Sequence, residues 1–412
     1  MLNPSHELKL ADWTQTMSRS VLRQMIAVVS RPGILSFAGG LPDPDLFPRA
    51  EFAAAMAQVL TQDKLSLQYR PPLPALKQHI VQLMAQRGVT CTAEQIFLTT
   101  GAQQGLDVLA RLLLNPGGEV LLEEVVYPGV QQVVASARPR ILSVPTDLRT
   151  GIDVDAVEAH LQNGARPAFI YAITEAHNPL GVSISVDKRQ KLVELAQHYG
   201  APIIEDDPYG FLLYDGEMAA RNGTAQSIAS PASALPLRAL DDEWVFYLGS
   251  FSKIIAPALR LGWMVAPEPL IAKLTVVKEA EDLESSALTQ RAVAAYLEAG
   301  YLPGHLQMLR VEYGRRRDMM LAALKQHFPS GARWTHPKGG MFIWVELPPH
   351  YNTTDLLPIA VEEEQVAFIP GYAFAVPGHT VTNCMRLNFS NSTPARIEEG
   401  IARLGRLLQR YA

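Results

Sequence analysis

The chain is poor in the features that would place it at a glance. Its 412 residues include two cysteines, Cys91 and Cys384, far apart and in no ligand motif. That spacing argues against a disulfide scaffold and predicts core thiols in a cytoplasmic protein. No uninterrupted apolar run reaches the roughly 18 residues needed to span a bilayer. The start, "MLNPSHELKLADWTQ", has no basic stretch followed by an apolar one, so no secretory leader is expected. Charge is scarce as well: 19% of residues are Asp, Glu, Lys or Arg, and the net charge of −5 leaves no basic surface for nucleic acid or membrane. The ten histidines do not gather with the cysteines. A metal centre is therefore a minor option, even beside the adjacent carboxylates Asp206 and Asp207.

What is present suits a large α/β protein. A hydrophobic content of 48% over this length can bury a sizeable core and fill two domains. Short apolar runs alternate with amphipathic stretches, the pattern of a largely parallel sheet covered by helices. "EQIFLTT" (94–100), "EVLLEE" (119–124), "PAFIYAIT" (167–174), "APIIEDD" (201–207), "EWVFYLGS" (243–250) and "LGWMVAP" (261–267) read as strands. "GAQQG" reads as a turn before a helix over 106–114, with Leu106, Leu109, Ala110 and Leu113 on one face. "SVDKRQKLVELAQHYG" (185–200) reads as a helix stopped by Gly200. From about residue 310 a helix leads into the strands "GGMFIWVELP", "VAFIPG" and "MRLNFS". The chain closes on a helix capped by Thr393 and begun by Pro394, with Ile397, Ile401, Leu404 and Leu408 on its apolar face.

Polar residues collect where strands of an open α/β sheet end, the place such sheets use for ligands. "TTGAQQG" (99–105) offers backbone N–H groups at Ala102 and Gln103. "HNPLG" (177–181) offers a side-chain amide, and "EDDPYG" (205–210) a carboxylate with a nearby phenol. "GSFSKIIAPALRLGW" (249–263) offers Lys253, two serines and Arg260. Pyridoxal phosphate asks for this set: an amine for a Schiff base with its aldehyde, a carboxylate for its pyridine nitrogen, and hydroxyls, a guanidinium and backbone donors for its phosphate.

These motifs, with "SFAGGLPDPDLFP" and "PKGGMFIWVELP" in the same order, resemble the fold-type I, pyridoxal-phosphate-dependent class I/II aminotransferases over nearly the whole chain. The branch containing 2-aminoadipate and kynurenine aminotransferases is the most similar. The resemblance implies an α/β fold: a mostly parallel seven-stranded sheet in a large cofactor-binding domain (51–305), a smaller α+β domain (306–412), and an N-terminal arm (1–50) packed on it. It implies the Schiff-base role for Lys253 and the ring-nitrogen role for Asp206, with Asp207 only a neighbour. Asn178 and Tyr209 match the donors to the ring's phenolic oxygen, and Tyr127 the aromatic stacked on the ring. Ala102, Gln103, Ser250, Ser252 and Arg260 match the phosphate cradle. Arg386 resembles the arginine gripping the substrate's α-carboxylate, with Gly40 beside it. Tyr69 resembles the tyrosine that reaches the neighbouring subunit's phosphate in a homodimer with shared sites. Arg23 resembles a mobile-helix arginine that binds a distal carboxylate in some relatives.

The implied reaction moves an amino group from an L-amino acid to a 2-oxo acid by a ping-pong route. Elimination, cyclisation or decarboxylation of a specialised amino acid would need the same cofactor set. A non-catalytic effector-binding domain is a further alternative, although no DNA-binding segment is expected ahead of "SFAGG". Two stretches depart from the family pattern: "RPPLPALK" (70–77), short and proline-rich, and "TEAHNPLG" (174–181). The second places Glu175 where a solvated loop carboxylate, or a contact to a cationic substrate, is expected.

Overall fold

In the computed structural model, residues 9–16, 33–214 and 235–411 are described. The central sheet holds β1 (Ile96–Thr99), β2 (Glu119–Glu123), β3 (Arg140–Val144), β4 (Ile170–Ala172), β5 (Ile203–Asp206), β6 (Val245–Ser250) and β7 (Gly262–Val265), in the order β1-β7-β6-β5-β4-β2-β3. Helices cover both faces, so most of these strands are buried on both sides and read as continuous apolar runs. The edge strand β3, "RILSV", starts exposed and then alternates between half-buried and buried instead, and sequence reading passes it over. Pairings β2–β3, β2–β4, β4–β5 and β5–β6 are parallel. β7 runs antiparallel to both β6 and β1. This reversal has a structural consequence: the carboxyl ends of β1, β2, β4, β5 and β6 share one edge of the sheet with the amino end of β7.

"GAQQG" is not a free turn. The helix already begins at Ala102 and runs Ala102–Leu113, because Gly101 alone, at φ +85°, makes the bend that lets the backbone pass from strand to helix. Helix Val186–Tyr199 does end at Gly200, in left-handed conformation.

A second, antiparallel sheet is built from β8 (Arg333–Trp334), β9 (Phe342–Glu346), β10 (Ile369–Pro370) and β11 (Cys384–Asn388), in the order β8-β9-β11-β10. The helix expected from about residue 310 starts nine residues earlier and spans Tyr301–His327. Near it lies Pro394–Arg410, whose buried stripe includes Ile397, Ile401, Leu404 and Leu408. Thr393 caps it through its side chain. Leu35–Ser36 pairs in parallel with Val366–Ala367, so the chain leaving that pairing carries Ala38, Gly39 and Gly40 toward the edge where the main-sheet strands end.

Candidate active site

Three strand ends meet at one point: Gly262 is in register with both Thr99 and Ser250. Glycine is required there. A Cβ on Gly262 would stand 2.8 Å from the Gly249 carbonyl and 2.9 Å from the Ala102 nitrogen, and one on Gly101 would stand 2.5 Å from Arg260 Nη2. The start of helix Ala102–Leu113 has no side-chain cap, which leaves its first N–H groups for a ligand. Arg260, itself in left-handed conformation, donates from Nη2 to the Thr100 carbonyl (3.1 Å) and from Nη1 to Ser252 Oγ (3.4 Å). Ser250 and Ser252 are buried beside it, with Ser250 Oγ accepting the Ser252 N–H at 3.1 Å. Backbone donors, two hydroxyls and a guanidinium thus line one end of a cavity of about 280 Å³.

The next wall is the end of β5. Successive side chains of a strand point to opposite faces, which separates the three acids of "EDD". Glu205 turns away from the cavity and accepts the backbone N–H groups of Leu237 and Arg238 and the Thr174 hydroxyl. Burial pushes its carboxyl up to about 7. Asp207, on the same side, pairs with Arg87 Nη2 at 3.0 Å and accepts the Tyr247 hydroxyl at 3.0 Å. Asp206 faces the other way and lines the cavity. Its Oδ2 accepts the Tyr171 hydroxyl at 2.6 Å, whereas Oδ1, buried, has no partner among the described residues. Burial raises this carboxyl to about 6, against the pull of the Tyr171 hydrogen bond.

Lys253 approaches from beyond β6, and its Nζ donates to the Gly40 carbonyl at 2.9 Å. Burial, then the Arg386 and Arg260 charges, bring its amine down to about 8. Arg386, on β11, is 2% exposed. Its Nη1 donates to Asn178 Oδ1 (2.9 Å) and its Nη2 to the Ala38 carbonyl (2.6 Å). The guanidinium lies 4.1 Å from the Phe342 ring centre and 4.9 Å from that of Phe374. It makes no ion pair among the described residues, and its charge is met by these two oxygens and two ring faces. Tyr209 and Tyr127 complete the walls; burial raises both phenols, and Tyr127 donates to Gln103 Oε1 at 3.0 Å.

Of the residues singled out in sequence, Lys253, Asp206, Tyr209, Ala102, Gln103, Tyr127, Asn178, Ser250, Ser252, Arg260, Arg386 and Gly40 all line this cavity. Tyr69 does not: it is 85% exposed on the surface. Arg23 lies outside the described residues. Glu175 is neither solvated nor turned to the cavity. It is 3% exposed and its Oε1 accepts Arg189 Nη2 at 2.9 Å, because a buried carboxylate must find a cation. Sequence reading missed Tyr171, Phe342, Phe374 and Ile369, each of which resembles a plain core residue.

The donor set fits pyridoxal 5′-phosphate at both ends. The glycine-built cradle matches the phosphate, and the orphaned Asp206 Oδ1 is an acceptor waiting for an N–H. The family "Aminotransferase class I and II" matches residues 36–404. The 2-aminoadipate transaminase of Thermus thermophilus is 36% identical over 412 residues, covering 98% of each chain. The aromatic-amino-acid aminotransferase 1 of Thermococcus litoralis is 35% identical over 95% of this chain and 92% of its own. The crystal structure of Pyrococcus horikoshii kynurenine aminotransferase, solved with PMP, superposes with a TM-score of 0.89 at 34% identity, over 98% of this chain and 97% of that one. The chain belongs to the class I and II aminotransferases. It is an enzyme of fold type I that uses pyridoxal 5′-phosphate and takes an amino acid and a 2-oxo acid as substrates.

Proposed function

We propose that the cavity is the transamination centre, with Lys253 as its catalytic amine. The observation that carries this reading is the meeting, in one cavity, of an amine lowered to about 8 and a buried carboxylate oxygen without a partner among the described residues. The bound cofactor supplies an aldehyde for amines and a ring that accepts the electrons of the broken Cα–H bond. Lys253 Nζ holds the aldehyde end and carries the proton taken from the substrate's Cα. Asp206 would hold the ring nitrogen's proton, Asn178 and Tyr209 would donate to the ring's phenolic oxygen, and Tyr127 would pack on the ring. Ala102, Gln103, Ser250, Ser252 and Arg260 bind the phosphate. Arg386 receives the substrate's α-carboxylate, with Gly40 beside it. Both half-reactions use the same residues, so the kinetics are ping-pong.

The working unit is a homodimer in which Tyr69 serves the other subunit's phosphate; the isolation of this exposed tyrosine from its own cavity supports that arrangement. A cytoplasmic setting is supported by two unbonded cysteines. The division into an arm (1–50), a large domain (51–305) and a small domain (306–412) is part of the same proposal; what supports it is the separation of the seven-stranded sheet from the four-stranded one.

The test is reductive trapping. Borohydride treatment of the holoenzyme followed by peptide mapping should place the pyridoxyl group on Lys253, and Lys253→Ala should abolish turnover. A label on another lysine would overturn the assignment. An amino-acid donor alone should release about one equivalent of 2-oxo acid per site and then stop until an acceptor is added.

A further inference from the structure

We propose that Tyr171 is a positioning residue for the cofactor's ring nitrogen: its hydroxyl holds one oxygen of Asp206, so that the other is reserved for the ring. The proposal rests on the assignment of Asp206 to that nitrogen and adds a residue that never touches the cofactor cavity. Tyr171 is fully buried on β4, in register with Ile204 of β5. Alternation along β5 then puts Asp206 one step further on the same face, within reach of the phenol. The contact is short, 2.6 Å, as a hydroxyl on an ionised carboxylate should be.

The surroundings give Tyr171 this task and give it to no other group. Asp206 feels its neighbour Asp207 along the chain, His177 from the loop after β4, and the Tyr127 and Tyr209 phenols. None of these hydrogen-bonds it among the described residues. The competing charge of Asp207 is engaged on the opposite face by Arg87 and Tyr247. Burial alone favours the neutral acid at Asp206, and the Tyr171 hydrogen bond opposes it. A neutral acid there would offer a proton to the ring nitrogen instead of holding the nitrogen's own. Burial also keeps the Tyr171 phenol protonated, so it acts as a fixed donor.

The experiment compares the apoprotein's affinity for pyridoxal 5′-phosphate with its affinity for 1-deazapyridoxal 5′-phosphate, in which C–H replaces the ring nitrogen. The wild type is expected to prefer the natural cofactor. Tyr171→Phe should shrink that preference roughly tenfold or more, the worth of a hydrogen bond to a charged group. Tyr247→Phe removes a similar bond from Asp207 and should leave the preference within about twofold. A Tyr171→Phe protein that keeps the wild-type preference overturns the proposal, and so does an equal loss in Tyr247→Phe. A wild type without any preference overturns the Asp206 assignment instead. If circular dichroism shows Tyr171→Phe unfolded, the more pliant Tyr171→Met is read by the same criteria.

Discussion

Two cations of the cavity, Lys253 and Arg386, make no ion pair with an acid among the described residues, and each meets the cost of burial differently. The lysine yields protonation, falling to about 8. The arginine falls only to about 10 and stays charged at neutral pH, with two oxygens and two aromatic faces in place of a carboxylate. Only the unprotonated amine attacks an aldehyde. Capture of pyridoxal 5′-phosphate by the apoprotein, followed by stopped-flow absorbance, should therefore accelerate about tenfold per pH unit below roughly 8 and level off above it. An ordinary lysine would still be accelerating at pH 10, and that result would contradict the lowered amine. If Arg386 receives the α-carboxylate as proposed, Arg386→Ala should weaken kcat/KM for every amino acid by about 2–5 kcal/mol. A defect confined to one substrate class would mean that Arg386 reads side chains. Most of these residues were legible in sequence because they sit at, or a few residues past, the end of an apolar strand. Tyr171 was not, since a tyrosine inside "FIYAI" looks like core until the register brings it beside Asp206. Glu175 misled for the converse reason: its loop position suggested solvent, and only the fold supplies Arg189.

At the scale of elements, the phosphate end depends on the direction of one strand. The apolar run 261–267 predicts β7 but not its orientation, because a strand buried on both faces carries no polarity in its pattern. Running antiparallel, β7 delivers Arg260 at its amino end to the edge where β1 and β6 finish, and it brings Gly262 against Ala102 and Gly249. A methyl group at residue 262 would have to push apart backbone on both sides, and backbone cannot rotate away as a side chain does. Gly262→Ala should therefore weaken pyridoxal 5′-phosphate binding by roughly tenfold or more, with lowered thermal stability. Equilibrium titration of the apoprotein would measure the first effect. Unchanged affinity would show that the cradle tolerates movement at this junction. The edge strand β3 and the early start of helix Tyr301–His327 also escaped sequence reading. "RILSV" is too polar for the buried-strand pattern, and "YLPG" opens that helix with a proline and a glycine that usually mark loops.

At the scale of the whole molecule, the cavity is a joint product of both sheets and of the segment from Ala38 to Gly40. Phe342, Ile369 and Arg386 come from the second sheet, and Lys253 and Asp206 from the edge of the first. What a single chain does not bring to its own cavity is Tyr69, which stands 85% exposed near two further exposed apolar side chains, Leu65 and Leu67. Three such residues at alternate positions within five suit a subunit interface. If Tyr69 completes the site of the opposite subunit, then Tyr69→Ala and Lys253→Ala damage different chains of the same active centre. Each variant alone should be nearly inactive. Mixed in equal amounts and allowed to exchange subunits, they form hybrid dimers in which one site has an intact Lys253 and receives an intact Tyr69 from its neighbour. With random assortment about half the dimers are hybrids with one good site each, so about a quarter of wild-type activity should return. Recovery should follow the rate of subunit exchange and vanish when exchange is blocked by crosslinking each variant beforehand. A mixture that stays inactive while hybrids are demonstrably present would place Tyr69 outside the catalytic centre, and a fully active monomer would remove the shared site altogether.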